Sequence, residues 1–301
     1  MKDLSSLKIV HIGLGKTATT TLQKHIFPEV CKQFNIKLLK IEDLKTVDHT
    51  KKQYHPLENI KNIALPESFL LSNEDLVGID WRPQYFEKAF QVNKKIFNQD
   101  CKILITIRKP SEILNSTYIT GIHNFNLIKE KDFFVYEKNK EIPNNKFNLY
   151  YFDYDKLINL YRGFYKNVIV VKYEEISTLN FLDKFFDINV DFKKKLQNKI
   201  KEEKVNKSFS ITGVKIFFIL NKFFNLAKFT QFISEKIYDV KYKDNTLLNR
   251  IRKKILAQLI IRNKVHQFDK IKIFYRKYKI NKKDLPIDVD KLDKNYSNLH
   301  D

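Results

Sequence analysis

The sequence predicts an α/β fold built around a mostly parallel sheet, followed by a helical C-terminal part. Short apolar runs alternate with helix-like segments in the first part of the chain. Most of these runs are continuously apolar, which is typical of parallel strands covered by helices on both faces. From about residue 177 the strand-like runs stop, and segments rich in Phe, Leu and Lys continue to about residue 280. This alternation of strands and helices predicts a parallel sheet.

Five stretches are predicted to be short buried strands, and helices are predicted between several of them. The strands are KIVHIGL (8–14), IKLLKI (36–41), SFLLS (68–72), KILITIR (102–108) and NVIVVKY (167–173). The helices cover Thr19–Asn35, Pro83–Asn98, Ser111–His123 and Tyr154–Lys166. We therefore expect an α/β core in residues 1–190 and, in residues 191–301, a helical extension that completes the same domain or covers a binding site.

Composition and charge limit the classes of function. A chain of 301 residues, 43% of them hydrophobic, can bury a large core, and its formal charge of +21 should attract polyanions. Arg is scarce beside Lys, so no nucleic acid partner is expected, because base edges are read best by Arg. Cys31 and Cys101 have no CxxC spacing and predict neither a disulfide framework nor a zinc site. Residues 1–7 are too short and polar for a signal peptide, so we expect a cytoplasmic protein.

A phosphate-binding loop is predicted where the first strand meets the first helix, in KIVHIGLGKTATTTLQKHIF (8–27). A tight turn before a helix presents free N–H groups and a partial positive charge to an anion. Lys16 adds a full charge, and Gly13 and Gly15 allow close approach of the backbone or a positive φ. The Walker A pattern requires a Gly five positions before the Gly-Lys pair, where Val10 stands, so this is not an ordinary ATP loop.

The loop resembles the first motif of the sulfotransferases that use 3′-phosphoadenosine 5′-phosphosulfate (PAPS). In that family a strand leads into Lys-Ser/Thr-Gly-Thr-Thr, and KTATT (16–20) matches this pattern with Ala18 in place of the usual Gly. If Ala18 must adopt a backbone angle open only to Gly, affinity for the donor falls. If it lies as a helical N-terminal residue, Ala is harmless.

A second motif of the same family is matched further along the chain. The family binds the 3′-phosphate with an Arg at the end of a later strand and a Ser eight positions on, and ILITIRKPSEILNSTY supplies Arg108 and Ser116. An Arg at the carboxyl edge of a sheet and a Ser two turns into the next helix can converge on one phosphate. The resemblance, to bacterial members in particular, covers about residues 8–186, with a fainter echo in VNKSFS (205–210).

The resemblance implies a P-loop-like three-layer fold and a set of site residues. Lys16 should contact the bridging oxygen and stabilise the leaving phosphate, and no metal is required. The 5′-phosphate should be held by backbone and hydroxyl donors of Gly15, Thr17, Ala18, Thr19 and Thr20.

A general base is expected after the third strand. Glu74 in FLLSNEDL is favoured, since similar Ser-x-Glu segments occur at this point in bacterial relatives. Asp75, His11 and His123 are alternatives. Glu74 could instead cap the next turn.

Two other segments allow more than one interpretation. Asp153 and Asp155 form a D-x-D, which holds a metal in nucleotide-sugar glycosyltransferases, but an N-cap and a first-turn charge are simpler at a helix start. Residues 214–233 are apolar around most of a helix, and their lysines argue against a membrane span. A core helix is the simplest interpretation. The alternative is peripheral contact with an anionic membrane or a wall for a lipid-linked acceptor.

Together these features predict transfer of a sulfuryl group from PAPS to a hydroxyl or amine, with a carbohydrate or lipid-linked glycan as the expected acceptor. A nucleotide-dependent kinase is the alternative among enzymes, and the missing Walker A glycine opposes it. A polyanion-binding module without catalysis is the alternative from another class. Steep salt dependence without turnover would favour that module.

Overall fold

The computed structural model of the chain describes residues 4–41, 55–57, 64–78, 85–123, 128–138, 142–143, 145–202, 214–215, 218–219 and 279–299. The chain divides into two compact units. The first consists of Met1–Ile113, Phe134–Val205 and Pro286–Asp301, and the second of Leu114–Phe133 and Asn206–Leu285. The domain boundary that the sequence predicts at residue 190 stays a prediction.

A five-stranded parallel sheet lies at the centre of the described part of the first unit. The strands in chain order are β1 (Lys8–Gly13), β2 (Lys37–Leu39), β3 (Phe69–Ser72), β4 (Lys102–Ile107), β5 (Phe134–Val135), β6 (Phe147–Asn148) and β7 (Asn167–Lys172). The sheet has the order β2-β3-β1-β4-β7, while β5 and β6 form a separate parallel pair. The predicted α/β class, its five strands and their parallel pairing are confirmed.

Helices connect the strands at most of the predicted places. They are α1 (Thr19–Thr21), α2 (Phe27–Gln33), α3 (Phe86–Ile96), α4 (Pro110–His123), α5 (Glu130–Phe133), α6 (Tyr154–Arg162), α7 (Val190–Glu202) and α8 (Val289–Asn298). Short 3₁₀ turns cover Glu74–Val77, Leu149–Phe152, Tyr173–Thr178, Asn180–Lys184 and Lys282–Asp284.

A π-helical segment, Leu22–Ile26, joins α1 to α2. It lies just before Pro28, which occupies the first turn of α2. Pro donates no N–H, and its ring crowds the carbonyl four residues earlier, so a wider turn at this point avoids the conflict. The predicted helix from Thr19 is therefore present, with a local change of pitch.

One face of the sheet is buried by the helical segments that follow the first strand and by α7. Residues of one parity on four strands, Ile9, Leu70, Leu104 and Val171, belong to a single apolar cluster. Helical members of that cluster include Leu22, Ile26, Val30 and Leu196. Helix α6, which lies between β4 and β7 in the sequence, contacts both strands, and α3 packs on α6. The apolar cluster thus packs the helical segment that follows the first loop against this face of the sheet.

The described part of the second unit has its own contacts. The hydroxyl of Tyr118 donates to the carbonyl of Ile128 at 2.9 Å, and its ring packs edge-to-face on Phe133. Asn115 accepts the N–H of Ile280 at 2.8 Å. Within the described ranges, no helix has the length and apolar character needed to cross a bilayer. Most of segment 214–233 lies outside the described residues.

Candidate anion-binding site

The site is placed by the order of the strands. From the central strand β1 the chain leaves toward β2 on one side, and from its neighbour β4 it leaves toward β7 on the other. A crevice opens at the carboxyl edge between two parallel strands whose exits diverge, and ligands bind there in open α/β sheets. Lys16 lies in the loop after β1 and Arg108 directly follows β4. Both predicted cationic residues therefore flank this crevice.

The loop after β1 has an unusual backbone. Lys16 and Ala18 have φ values of 70° and 63°, and among the described residues only Asn35 and Leu179 are other non-glycine positions with positive φ. The left-handed conformation costs a non-glycine residue ~1 kcal/mol or more. Alternation of left- and right-handed residues turns successive N–H groups into one concave surface that binds anions. Strain of this kind occurs mostly at functional sites.

Ala18 adopts the conformation that glycine reaches most easily. It is the N-cap of α1 with φ 63° and ψ 21°, and no side chain caps the helix start. The sequence left two possibilities for Ala18, and the structure is closer to the first, in which the residue adopts a conformation that favours Gly. The left-handed region is nevertheless accessible to Ala at a modest cost. The N–H groups of the first helical turn have no intrahelical acceptors, so an anion can serve as their cap.

The start of the helix lies very close to β1. A Cβ built on Gly13 would be 1.9 Å from Cγ2 of Thr19, so only glycine fits there without movement. The Thr19 hydroxyl donates to the Glu74 carboxylate at 3.0 Å, which brings Glu74 to the loop. The cap of the turn after β3 is Asn73, whose side-chain oxygen accepts the N–H of Asp75 at 2.7 Å. The capping interpretation of Glu74 is therefore wrong.

A buried polar chain connects the loop to three strands. The Thr17 hydroxyl donates to the carbonyl of Leu14 at 2.5 Å and lies 2.8 Å from the hydroxyl of Thr106. Nε2 of His11 is 3.1 Å from the same Thr106 hydroxyl, and its Nδ1 is 2.6 Å from the hydroxyl of Ser72. Burial lowers the pKa of His11 to about 3, so its imidazole is neutral at pH 7. His11 therefore acts here as a buried hydrogen-bonding residue.

The predicted threonines divide into two groups. The hydroxyls of Thr17 and Thr19 are directed to acceptors within the protein, and the N–H of Thr17 also donates to the carbonyl of Leu14 at 3.3 Å. Thr20 is exposed. The N–H of Gly15 donates to the hydroxyl oxygen of Tyr151 at 2.9 Å. Tyr151 is fully buried, and burial raises the pKa of its hydroxyl far above the usual value.

Arg108 is held by several neighbours. Its Nε and one Nη donate to a carboxylate oxygen of Glu112 at 2.9 and 2.7 Å, and its other Nη donates to the carbonyl of Lys16 at 3.2 Å. Because Ile107 is paired with Lys172 in the sheet, the next residues also meet, and the guanidinium lies 3.9 Å from the ring centroid of Tyr173. Arg108 therefore links β4 to the loop after β1.

Ser116, His123 and Asp153 lie in helices or at their ends. Ser116 lies in the part of α4 that belongs to the second unit, and its carbonyl accepts the hydroxyl of Thr120 at 2.9 Å. His123 is the last residue of α4. Asp153 accepts the N–H of Lys156 at 3.3 Å and is the N-cap of α6, as predicted. No group of three metal-ligating side chains is found among the described residues.

Three contact residues were not predicted from the sequence. Glu112 had a local signal, since it is one helical turn after Arg108. Tyr173 had a weaker one, because it ends a predicted strand. Tyr151 had none, because its contact with Gly15 joins positions 136 residues apart.

Comparisons of the chain with protein-family models, with curated proteins and with solved structures find no match. Function is therefore inferred from the residues and contacts described above.

Proposed function

We propose that the chain is a PAPS-dependent sulfotransferase with a P-loop-like fold, which transfers a sulfuryl group to a hydroxyl or amine of a carbohydrate or lipid-linked glycan. The observation that carries this proposal is the pairing of two cationic positions across one crevice. Lys16 lies in a loop with two left-handed residues, and the Arg108 guanidinium reaches the carbonyl of Lys16 at 3.2 Å. A nucleotide with phosphates on both its 5′ and 3′ positions suits two such adjacent cations.

The residues at the crevice fit this donor. The N–H groups at the start of α1 and the Lys16 ammonium would hold the 5′-phosphate. Arg108 would bind the 3′-phosphate after the phosphate displaces the exposed Glu112 carboxylate from the guanidinium. When bound, PAPS supplies the activated sulfuryl group. Lys16 would stabilise negative charge on the leaving phosphate oxygen, by fixed charge rather than by proton transfer.

Glu74 is the proposed general base. It is exposed at the carboxyl edge of the sheet, and its contact with Thr19 places it beside the loop. A carboxylate in that position can accept the proton of an acceptor hydroxyl or amine. His11 is not suited to this role, because it is fully buried and both its nitrogens have partners in the protein.

The test is calorimetric titration of the purified chain with adenosine 3′,5′-bisphosphate, 5′-AMP and ATP, each with and without Mg²⁺. We expect binding of the bisphosphate that is independent of metal and stronger than that of 5′-AMP. Lys16→Ala should abolish it, because the loop then loses its full charge. Lys24→Ala is the matched control, since Lys24 is exposed in the π-helical segment, and should bind normally.

Other outcomes would contradict the proposal. Preference for ATP with Mg²⁺ would indicate a kinase. Binding of all polyanions with steep salt dependence and equal loss in both lysine variants would indicate a polyanion-binding module. If the bisphosphate binds as expected, transfer of sulfate from PAPS to sugar acceptors is the next measurement, and Glu74→Gln should lose transfer while keeping nucleotide affinity.

A further inference from the structure

A cavity of about 300 Å³ lies in the first unit, beside the segment whose Tyr151 contacts the loop after β1. Its wall includes Tyr136, three residues of the following 3₁₀ turn (Leu149, Tyr150 and Phe152), and residues of α6 and α8. In the same segment, the hydroxyl of Tyr154 donates to the carbonyl of Arg108 at 2.7 Å. The cavity is therefore attached to the carboxyl edge of the sheet, although none of the residues assigned above to the nucleotide lines it.

The charges around the cavity are nearly balanced. Asp153 and Asp288 both line it, and each is the N-cap of its own helix, so each carboxylate already accepts backbone N–H groups. Asp155 and Lys291 also line the cavity. The ammonium groups of Lys138 and Lys156 lie 5.8 and 5.6 Å from the ring centroid of Tyr150 at the wall. Lys156 is also paired with Glu87 at 2.7 Å. Neither a phosphate nor a bare cation is favoured where opposite charges and helix N-termini offset each other.

The cavity offers aromatic surface next to polar groups. Tyr136 is 40% exposed, which is unusual for a large hydrophobic side chain in the described part of this chain. Its ring meets that of Tyr150 edge-to-face at 6.1 Å, and the Lys138 ammonium lies 6.0 and 5.8 Å from the two centroids. Amphipathic rings of this kind present an apolar face and a wet hydroxyl. Asp155, Asn295 and Lys291 add side-chain acceptors and donors at the wall.

We infer that this cavity binds a neutral carbohydrate of one or two hexose units. The C–H face of a pyranose ring can pack on Tyr136, while its hydroxyls bond to Asp155, Asn295 and Lys291. The volume is at the lower end of the range for small-molecule sites and suits a ligand of this size. The role of the sugar as sulfuryl acceptor rests on the proposed function, whereas sugar binding itself does not.

The test is saturation-transfer NMR on the whole chain without nucleotide, using maltose, cellobiose, lactose and N,N′-diacetylchitobiose at millimolar concentration. Glucosamine and glucose 6-phosphate are the charged comparators. At least one neutral disaccharide should receive saturation and outcompete both comparators. Tyr136→Ala should weaken its binding about fivefold or more, and Tyr136→Phe should keep it, because the ring supplies the contact.

A matched pair on α8 locates the site. Lys291→Ala should weaken binding, whereas Lys294→Ala should not, since Lys294 is exposed on the same helix and does not line the cavity. The inference is overturned if no neutral sugar binds, if a charged comparator binds best, or if Tyr136→Ala leaves binding unchanged. Nucleotide titration of Tyr136→Ala separates the two proposals, because bisphosphate affinity should be unaffected. Sugar binding without bisphosphate binding would overturn only the sulfotransferase proposal.

Discussion

Arg108, just before α4, and Glu112 in the first turn of α4 form an ion pair, with 19% and 46% of their side chains exposed. A 3′-phosphate that uses Arg108 must displace this carboxylate. Glu112→Gln should therefore raise the affinity for adenosine 3′,5′-bisphosphate about two- to fivefold, since an exposed pair contributes at most ~1 kcal/mol. The affinity for 5′-AMP should not change. Calorimetry with both nucleotides checks this prediction.

The control for that variant is Glu87→Gln, which removes another exposed carboxylate, 62% exposed, whose partner is Lys156. An equal gain in both variants would show that general charge, and not competition for Arg108, raises the affinity.

Ala18 is one of the two left-handed residues of the loop after β1. Ala18→Gly should increase the free energy of unfolding by about 0.5–1 kcal/mol, because relief of the left-handed conformation outweighs the extra entropy of the unfolded chain. Urea denaturation measures this change. Ala89→Gly, in the interior of α3, should have the opposite sign. A loss of stability in Ala18→Gly would contradict the assigned backbone conformation.

At the scale of elements, the close approach of β1 and α1 fixes the position of the loop. Gly13→Ala should destabilise the protein by about 1–3 kcal/mol and weaken bisphosphate binding, because the new methyl group would meet Cγ2 of Thr19. Adding Thr19→Ser removes that methyl group and keeps the hydroxyl that donates to Glu74. The double variant should regain part of both losses, as urea denaturation and calorimetry would show.

Recovery of stability in the double variant would show that the methyl group introduced by Gly13→Ala is in contact with that of Thr19. If the two substitutions are simply additive, the strand and the helix start do not meet at this point. Incomplete rescue is expected, because the Cβ introduced by Gly13→Ala would also lie 3.1 Å from the His11 ring.

For the whole molecule, two buried histidines predict how stability depends on pH. Burial lowers the pKa of His11 to about 3 and that of His55 to about 4. Both imidazoles are neutral when folded, whereas in the unfolded chain they take up protons below about pH 6.5. The stabilisation is complete above that pH and is lost as the pH falls, by about 1.4 kcal/mol per pH unit for each histidine.

Urea denaturation between pH 7 and pH 5 checks this dependence. His11→Gln should give a shallower decline, because Gln can hydrogen-bond to Thr106 and Ser72 without taking up a proton. An unchanged decline would show that His11 does not contribute.

The sheet was predictable because its strands are continuous apolar runs, and their carboxyl ends then had to meet at one edge. That reasoning put Lys16 and Arg108 after strands at the same edge, and the resemblance assigned both residues to one nucleotide. It could not choose between the two conformations of Ala18, since φ at one loop residue depends on how closely Gly13 and Thr19 approach. The contact of Tyr151 could not be predicted for a different reason. Its partner is the backbone N–H of Gly15, and a backbone group has no signature in the sequence.

The contacts that shape the loop after β1 join distant parts of the chain. Gly15 is bonded to Tyr151 across 136 positions, His11 to Thr106 across 95, and Arg108 to Lys16 across 92. Such contacts form only after large segments of chain have closed, which makes them late events in folding. A nascent chain that has not been synthesised as far as Tyr151 lacks the hydroxyl that accepts the N–H of Gly15. Nucleotide affinity should thus appear as one of the last properties acquired during refolding, after most helical signal has returned.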